Sequence, residues 1–157
     1  MITFDASELT PELWVGSYPQ SPTDVLHLKA AGITAILNLQ SDDDFRQKSI
    51  QWGLFWNFYV KQGMEVVRHP ITDFDPQPLL EELPAAVERL NALVAKGHKV
   101  YVHCTAGINR SPSVCIGFLS KYRDMDVAAA NELVKGIRPN VYPYPEVLKG
   151  WTRILGP

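Results

Sequence analysis

The chain has 157 residues, the length of one ordinary domain and enough to bury a core without disulfide or metal staples. Hydrophobic residues make up 46% and charged residues 20%, a globular balance that excludes a disordered chain or one built of membrane spans. The formal net charge of −2 gives no overall attraction to nucleic acid or anionic lipid, so any anion site must be built locally.

In chain order, MITFDASELT has no basic segment leading into an apolar run, so no targeting segment is expected there. Trp14 and Val15 run into Gly16, and Ser17 to Pro22 reads as loop. Ser21, Pro22 and Asp24 form a helix start, with serine as cap and proline in the first turn; that helix stops at Gly32. Ile33 to Leu39 is apolar and partly β-branched, as a buried strand would be. Ser41 to Asp44 is an acidic turn suited to capping a short helix through Lys48. Trp52 to Tyr59 holds five aromatics in eight residues. Glu65 to Ile71 reads as a strand, and Thr72 to Pro78 as a loop. Leu83, Val87, Leu90 and Val94 recur at helical spacing within a helix from Leu80 to Val94. Lys99 to His103 is a strand, and Ser111–Tyr122, Val127–Ile137 and Pro145–Leu155 read as helices. Strands alternating with helices predict a single α/β domain over 1–157, with a central, mostly parallel sheet flanked by helices.

The segment VHCTAGINRSPS carries the chemistry. A strand delivers Cys104 to a sheet edge, and the chain must turn tightly before a helix begins. Small residues at Ala106 and Gly107 let the backbone N–H groups of Thr105 to Asn109, including Ile108, converge on one anion. Pro112 suits the first turn of the next helix, whose N-terminal dipole favours negative charge. Arg110 offers a planar fork matched to two phosphate oxygens, and the same positive field suits a sulfur anion. Ser111 is placed to donate to the sulfur when it leaves. Together these features predict a loop that holds a phosphoryl group in line with Cys104, and phosphate or sulfate is the expected ligand.

A poor leaving group needs a proton donor near that loop. Asp73 and Asp75, in TDFDP, follow a strand and precede a helix; spacing leaves both open, with helix capping favoured for Asp75 before Pro76. Cys115, between Val114 and Ile116, reads as core, and two such cysteines in a chain of this size point to a reducing compartment. His103 reads as a residue that hydrogen-bonds around the loop and supports the thiolate. His27, His69 and His98 lack ligand spacing, so neither a metal nor another cofactor is expected. Phe55 and Tyr59 read as core, while Trp52 and Trp56 suit either core or a stacking platform. Arg138 fits either a substrate contact or a solvated or capping role.

His103-Cys104, five residues, then Arg110-Ser111 is the signature of the protein tyrosine phosphatase superfamily, and the GINRS form resembles its dual-specificity branch. The stretches WVGSYPQSPTDVLHLKAAGITAILNLQSDDD, TDFDP and KVYVHCTAG are similar to plant starch and glucan phosphatase catalytic domains, and more distantly to laforin. The resemblance spans roughly residues 13 to 150. It implies Cys104 as nucleophile, Arg110 as phosphate clamp, Asp73 as general acid and then base, and Phe74 as an aromatic bordering the substrate channel. The implied substrate is a phosphoglucan, with phosphoprotein as the alternative. A non-catalytic phosphate-binding module or an RNA 5′-triphosphatase are weaker ones, because Cys104, Arg110 and Asp73 are all present and the chain has no basic track for RNA. The implied location is cytoplasmic, or a plastid in a photosynthetic eukaryote. Unlike that group, this chain has Asn109 where glycine is usual, and neither a carbohydrate-binding module nor the group's C-terminal extension is expected from its sequence.

Overall fold

The computed structural model describes residues 4–157; residues 1–3, part of the stretch in which no targeting segment was expected, lie outside them. Five strands form one sheet: β1 (Ala6–Thr10), β2 (Leu13–Gly16), β3 (Ala35–Asn38), β4 (Glu65–Arg68) and β5 (Val100–His103). Their order is β1-β2-β5-β3-β4, with only β1 antiparallel to its neighbour. Seven helices accompany them: α1 (Pro22–Ala30), α2 (Asp42–Gln47), α3 (Trp52–Lys61), α4 (Pro76–Ala95), α5 (Arg110–Tyr122), α6 (Val127–Ile137) and α7 (Pro145–Leu155).

The sheet's period-2 alternation sorts the core into two layers. Val100, Val102, Ala35 and Leu37 face the larger cluster, which Leu83, Leu90, Val114, Phe118, Val134 and Trp151 fill from α4 to α7. Tyr101 and Ile36 face the smaller one, closed by Val25 and Leu28 of α1 and Tyr59 of α3. β5 lies between β2 and β3, and every residue of β3 and β5 is buried. Covered strands of this kind read as continuous apolar runs, which is why both were legible. Among the described residues no helix is long and apolar enough to cross a membrane.

Local chemistry accounts for most element ends. Ser21 caps α1 with Pro22 in the first turn, and Gly32 follows at φ +91°. Ser41 and Asp44 form a reciprocal capping box on α2, and Lys48 ends it. The predicted start of α4 shifts. Pro76 opens α4 rather than lying in a loop that runs to Pro78, because Asp75 caps the helix and a proline is tolerated where no N–H partner exists. The aromatic run from Trp52, given no element in the sequence reading, is helix α3. The β1–β2 hairpin at the sheet edge was also unassigned, since its mixed composition carries little apolar alternation.

The aromatic assignments divide along α3. Tyr59 is fully buried and Phe55 tilts against it; Trp52 stacks on Phe45 at 5.5 Å between ring centroids, whereas Trp56 is exposed. Phe55 and Phe58 line a groove of about 410 Å³ with Gln20, Pro22 and Leu54 that holds none of the Cys104 loop residues.

Trp151 anchors α7: its ring is buried and its Nε1 donates to Ser120 Oγ at 2.9 Å. Trp151→Ala should lower the unfolding free energy by about 3–5 kcal/mol, measured by urea denaturation.

Candidate active site

β5 ends at His103, and Cys104 emerges at the C-terminal edge of the central strand, where parallel sheets place their ligand sites. Cys104 Sγ lies 3.2 Å from Ser111 Oγ and accepts the Gly107 N–H at 3.3 Å. Gly107 adopts φ +70°, and a Cβ there would stand 2.5 Å from the Gly16 carbonyl carbon and 2.6 Å from Arg138 Nη2. No other residue type fits this turn without displacing the loop.

The loop is tied down from outside. Buried Arg138 donates through Nε to the Gly107 carbonyl at 2.8 Å and through Nη2 to the Ala106 carbonyl at 3.3 Å. Its Nη1 meets Ser7 Oγ and Asp5 Oδ1. Arg138 is therefore not solvated: its backbone N–H caps the end of α6 by donating to the Val134 carbonyl, its guanidinium braces the loop, and it does not line the cavity around Cys104. By occupying carbonyls on the outer side, it leaves the loop N–H groups to face inward. Tyr18 N–H holds the Thr105 carbonyl at 3.1 Å, and Tyr142 N–H holds that of Ile108 at 2.7 Å. Asn109 sits just before α5 at φ −128°, outside the left-handed region that would favour glycine.

Arg110 is 2% exposed, and its fork is fully engaged. Nη1 and Nη2 donate to the two carboxylate oxygens of Asp44 at 2.8 and 2.9 Å; Nη1 also reaches the Ile71 carbonyl at 2.9 Å, and Nη2 reaches Asp73 Oδ2 at 3.0 Å. Asp44 accepts further hydrogen bonds from Thr105 Oγ1 at 2.6 Å and from the backbone and hydroxyl of Ser41 at 2.8 Å. Burial works against its charge, but these bonds, led by Arg110, overcome it and hold the carboxyl well below the usual carboxylate range. Sequence reading had given Asp44 only a capping role. Its single signal was the capping box, which does not disclose that the carboxylate also reaches across the sheet edge.

Asp73 is part-exposed; its Oδ1 accepts the N–H of Phe74, which is 84% exposed and sits at φ +65°. Asp75 accepts from Gln77 N–H at 3.0 Å as the α4 cap. A cavity of about 420 Å³ joins Asp44, Asp73, Phe74, Cys104 through Ala106, and Ile108 through Arg110. Gln47, Lys48, Tyr142 and Tyr144 complete its lining. Cys115 is buried on α5, away from this wall, and burial pushes its thiol far up from the ordinary value.

His103 carries no charge to the site. It is fully buried, its Nδ1 lies 2.9 Å from the Cys104 carbonyl, and desolvation pushes its pKa down to about 4. It therefore supports the loop as a neutral ring, not as a cation beside the sulfur.

The dual specificity phosphatase catalytic domain family model matches residues 13–150, and the chain belongs to this family. The chloroplastic phosphoglucan phosphatase LSF1 of Arabidopsis thaliana is 35% identical over 131 residues, covering 83% of this chain and 22% of that protein. Laforin of Mus musculus is 31% identical over 147 residues, covering 87% of this chain and 44% of laforin. The chain thus spans less than half the length of these curated relatives. The crystal structure of Tk-PTP in the active form superposes with a TM-score of 0.78 at 25% identity, covering 94% of this chain and 96% of that one.

Two results are expected from this geometry. Asp44→Asn keeps the shape but removes the charge facing buried Arg110, and should cost on the order of 3 kcal/mol of stability and about 10–100-fold in turnover of an aryl phosphate. Separately, stability should fall as pH drops from 6.5 to about 4, because the unfolded chain then binds a proton at His103 that the native state refuses. His103→Asn should flatten that slope in urea titrations. Below the ordinary carboxylate value of 3.8, a further loss should set in as protons compete for Asp44.

Proposed function

We propose that this chain, acting as one catalytic domain, hydrolyses phosphomonoesters on glucan through a phosphocysteine intermediate. The observation that carries the reading is the convergence of the Cys104 sulfur, the inward Gly107 N–H, the Arg110 fork and the Asp73 carboxyl in one cavity. In the first step Cys104 attacks phosphorus in line, and the P–O bond to the leaving group breaks as Asp73 gives its proton to the departing oxygen. In the second, Asp73 takes a proton from water, the resulting hydroxide attacks phosphorus, and Cys104 leaves with a hydrogen bond from Ser111.

Asp73 and a phosphoryl oxygen compete for Arg110 Nη2. A phosphate entering the loop displaces the carboxylate toward the leaving group, which is where an acid is needed. Arg110 Nη1 and the second Asp44 contact remain to hold the fork in plane.

Glucan as substrate is supported by the relatedness to LSF1 and by the open rings of Phe74 and Tyr142, 84% and 65% exposed, beside the loop. Aromatic faces suit the apolar faces of sugar rings. Membership of the dual specificity family supports phosphoprotein as the second reading. Both cysteines are free, which suits a reducing compartment.

Phosphate release from solubilised phosphorylated starch should exceed that from a phosphotyrosine peptide; turnover of the peptide with only background on starch would transfer the assignment to phosphoprotein. Cys104→Ser should abolish turnover while keeping phosphate binding. Asp73→Ala should cost about 100-fold or more on an alkyl phosphate and far less on an activated aryl phosphate, whereas Asp75→Ala should spare both.

A further inference from the structure

The three acids of α2 are each matched to an arginine. Asp42 pairs with Arg68 at 2.7 Å, Asp43 with Arg46, and Asp44 with Arg110 at 2.8 Å. Lys48, four positions after Asp44, is the C-cap of α2, is exposed, and forms no ion pair among the described residues. It lines the same cavity as Cys104, Asp73 and Arg110, beside Gln47. Lys48 and Arg110 are the two cationic side chains of that lining, and Arg110 is buried at its floor with its fork already committed. The same lining also carries the uncharged side chains of Ile108, Tyr142 and Tyr144.

We infer that Lys48 is a specificity-determining residue that selects phosphomonoesters bearing a second phosphate group close to the one hydrolysed. The inference rests on the phosphatase reading of the site, though not on glucan as the substrate. A lysine is a compact point charge on a flexible stem, suited to an anion whose position varies from one substrate to another. Gln47 adds an amide donor next to it. The charge acts across solvent at the cavity mouth, so its effect falls as salt rises. On a glucan such a substrate carries phosphates on neighbouring units; a carboxylate at the same distance shares the chemistry and is separated by the test.

Three aryl phosphates distinguish the outcomes: 4-carbamoylphenyl phosphate, 4-carboxyphenyl phosphate and 1,4-phenylene bisphosphate, matched in ring and differing in the para charge. The unmodified chain should show the highest kcat/KM on the bisphosphate. Lys48→Met should reduce that value about five- to twentyfold, through KM rather than kcat, and leave the neutral carbamoyl substrate unchanged. Lys48→Arg should restore most of the loss, and 0.5 M salt should erase the preference. A drop on the carboxylate as large as on the bisphosphate would overturn selection for phosphate in favour of any anion. Equal effects of Lys48→Met on all three substrates, or no effect on any, would overturn the role of Lys48 while leaving the phosphatase reading intact. No turnover of any of the three by the unmodified chain would overturn that reading and this inference with it.

Discussion

The buried pair between Arg110 and Asp44, with the further bonds of that guanidinium, joins three parts of the chain: the start of α5, the short acidic helix after β3, and the segment after β4. Arg110 also binds the Ile71 carbonyl and Asp73, so one guanidinium fixes both the end of the Cys104 loop and the segment that carries Asp73. A buried ion pair contributes little net stability, because desolvation offsets most of the attraction. Its consequence here is geometric. The fork is held in plane before any substrate arrives, and a preorganised fork loses no freedom on meeting a phosphate.

A second constraint acts from outside. The loop turns its Gly107 N–H toward the Cys104 sulfur, and backbone that curls this way leaves carbonyls on its convex side. Arg138, Tyr18 N–H and Tyr142 N–H take those carbonyls. Arg138 is anchored in turn by Ser7 and Asp5, so the edge hairpin acts in supporting the site from the far side of the sheet. Strand β1 thereby has a function that its modest composition does not announce.

The cavity combines groups with separate duties. Cys104, Arg110 and Asp73 lie at its floor and wall, Phe74 and Tyr142 offer flat apolar faces, and Lys48 leaves an unmatched charge at the mouth. The groove beside Phe55 and Phe58 is a different surface, and the aromatic richness of α3 is divided between that groove, the smaller core and solvent.

Much of this was legible in the sequence, for local reasons. Buried strands such as Ala35–Asn38 and Val100–His103 are apolar runs, caps such as Ser21 and Ser41 precede their helices, and a loop of small residues between a cysteine and an arginine needs little context to be read. Asp75 as a cap could also be anticipated, because the residue before a proline that opens a helix has few other uses. What tertiary structure decided depends on contacts between segments far apart in the chain. Asp44 meets Arg110 across 66 positions, and Arg138 meets Gly107 across 31. A capping box and a solvated arginine look the same in sequence as a carboxylate and a guanidinium that brace the Cys104 loop, since only the packing of the sheet determines which charges are brought together. The same holds for Lys48: three acids lie within six positions before it, and it is the fold that assigns those acids to arginines and places the lysine in the cavity lining.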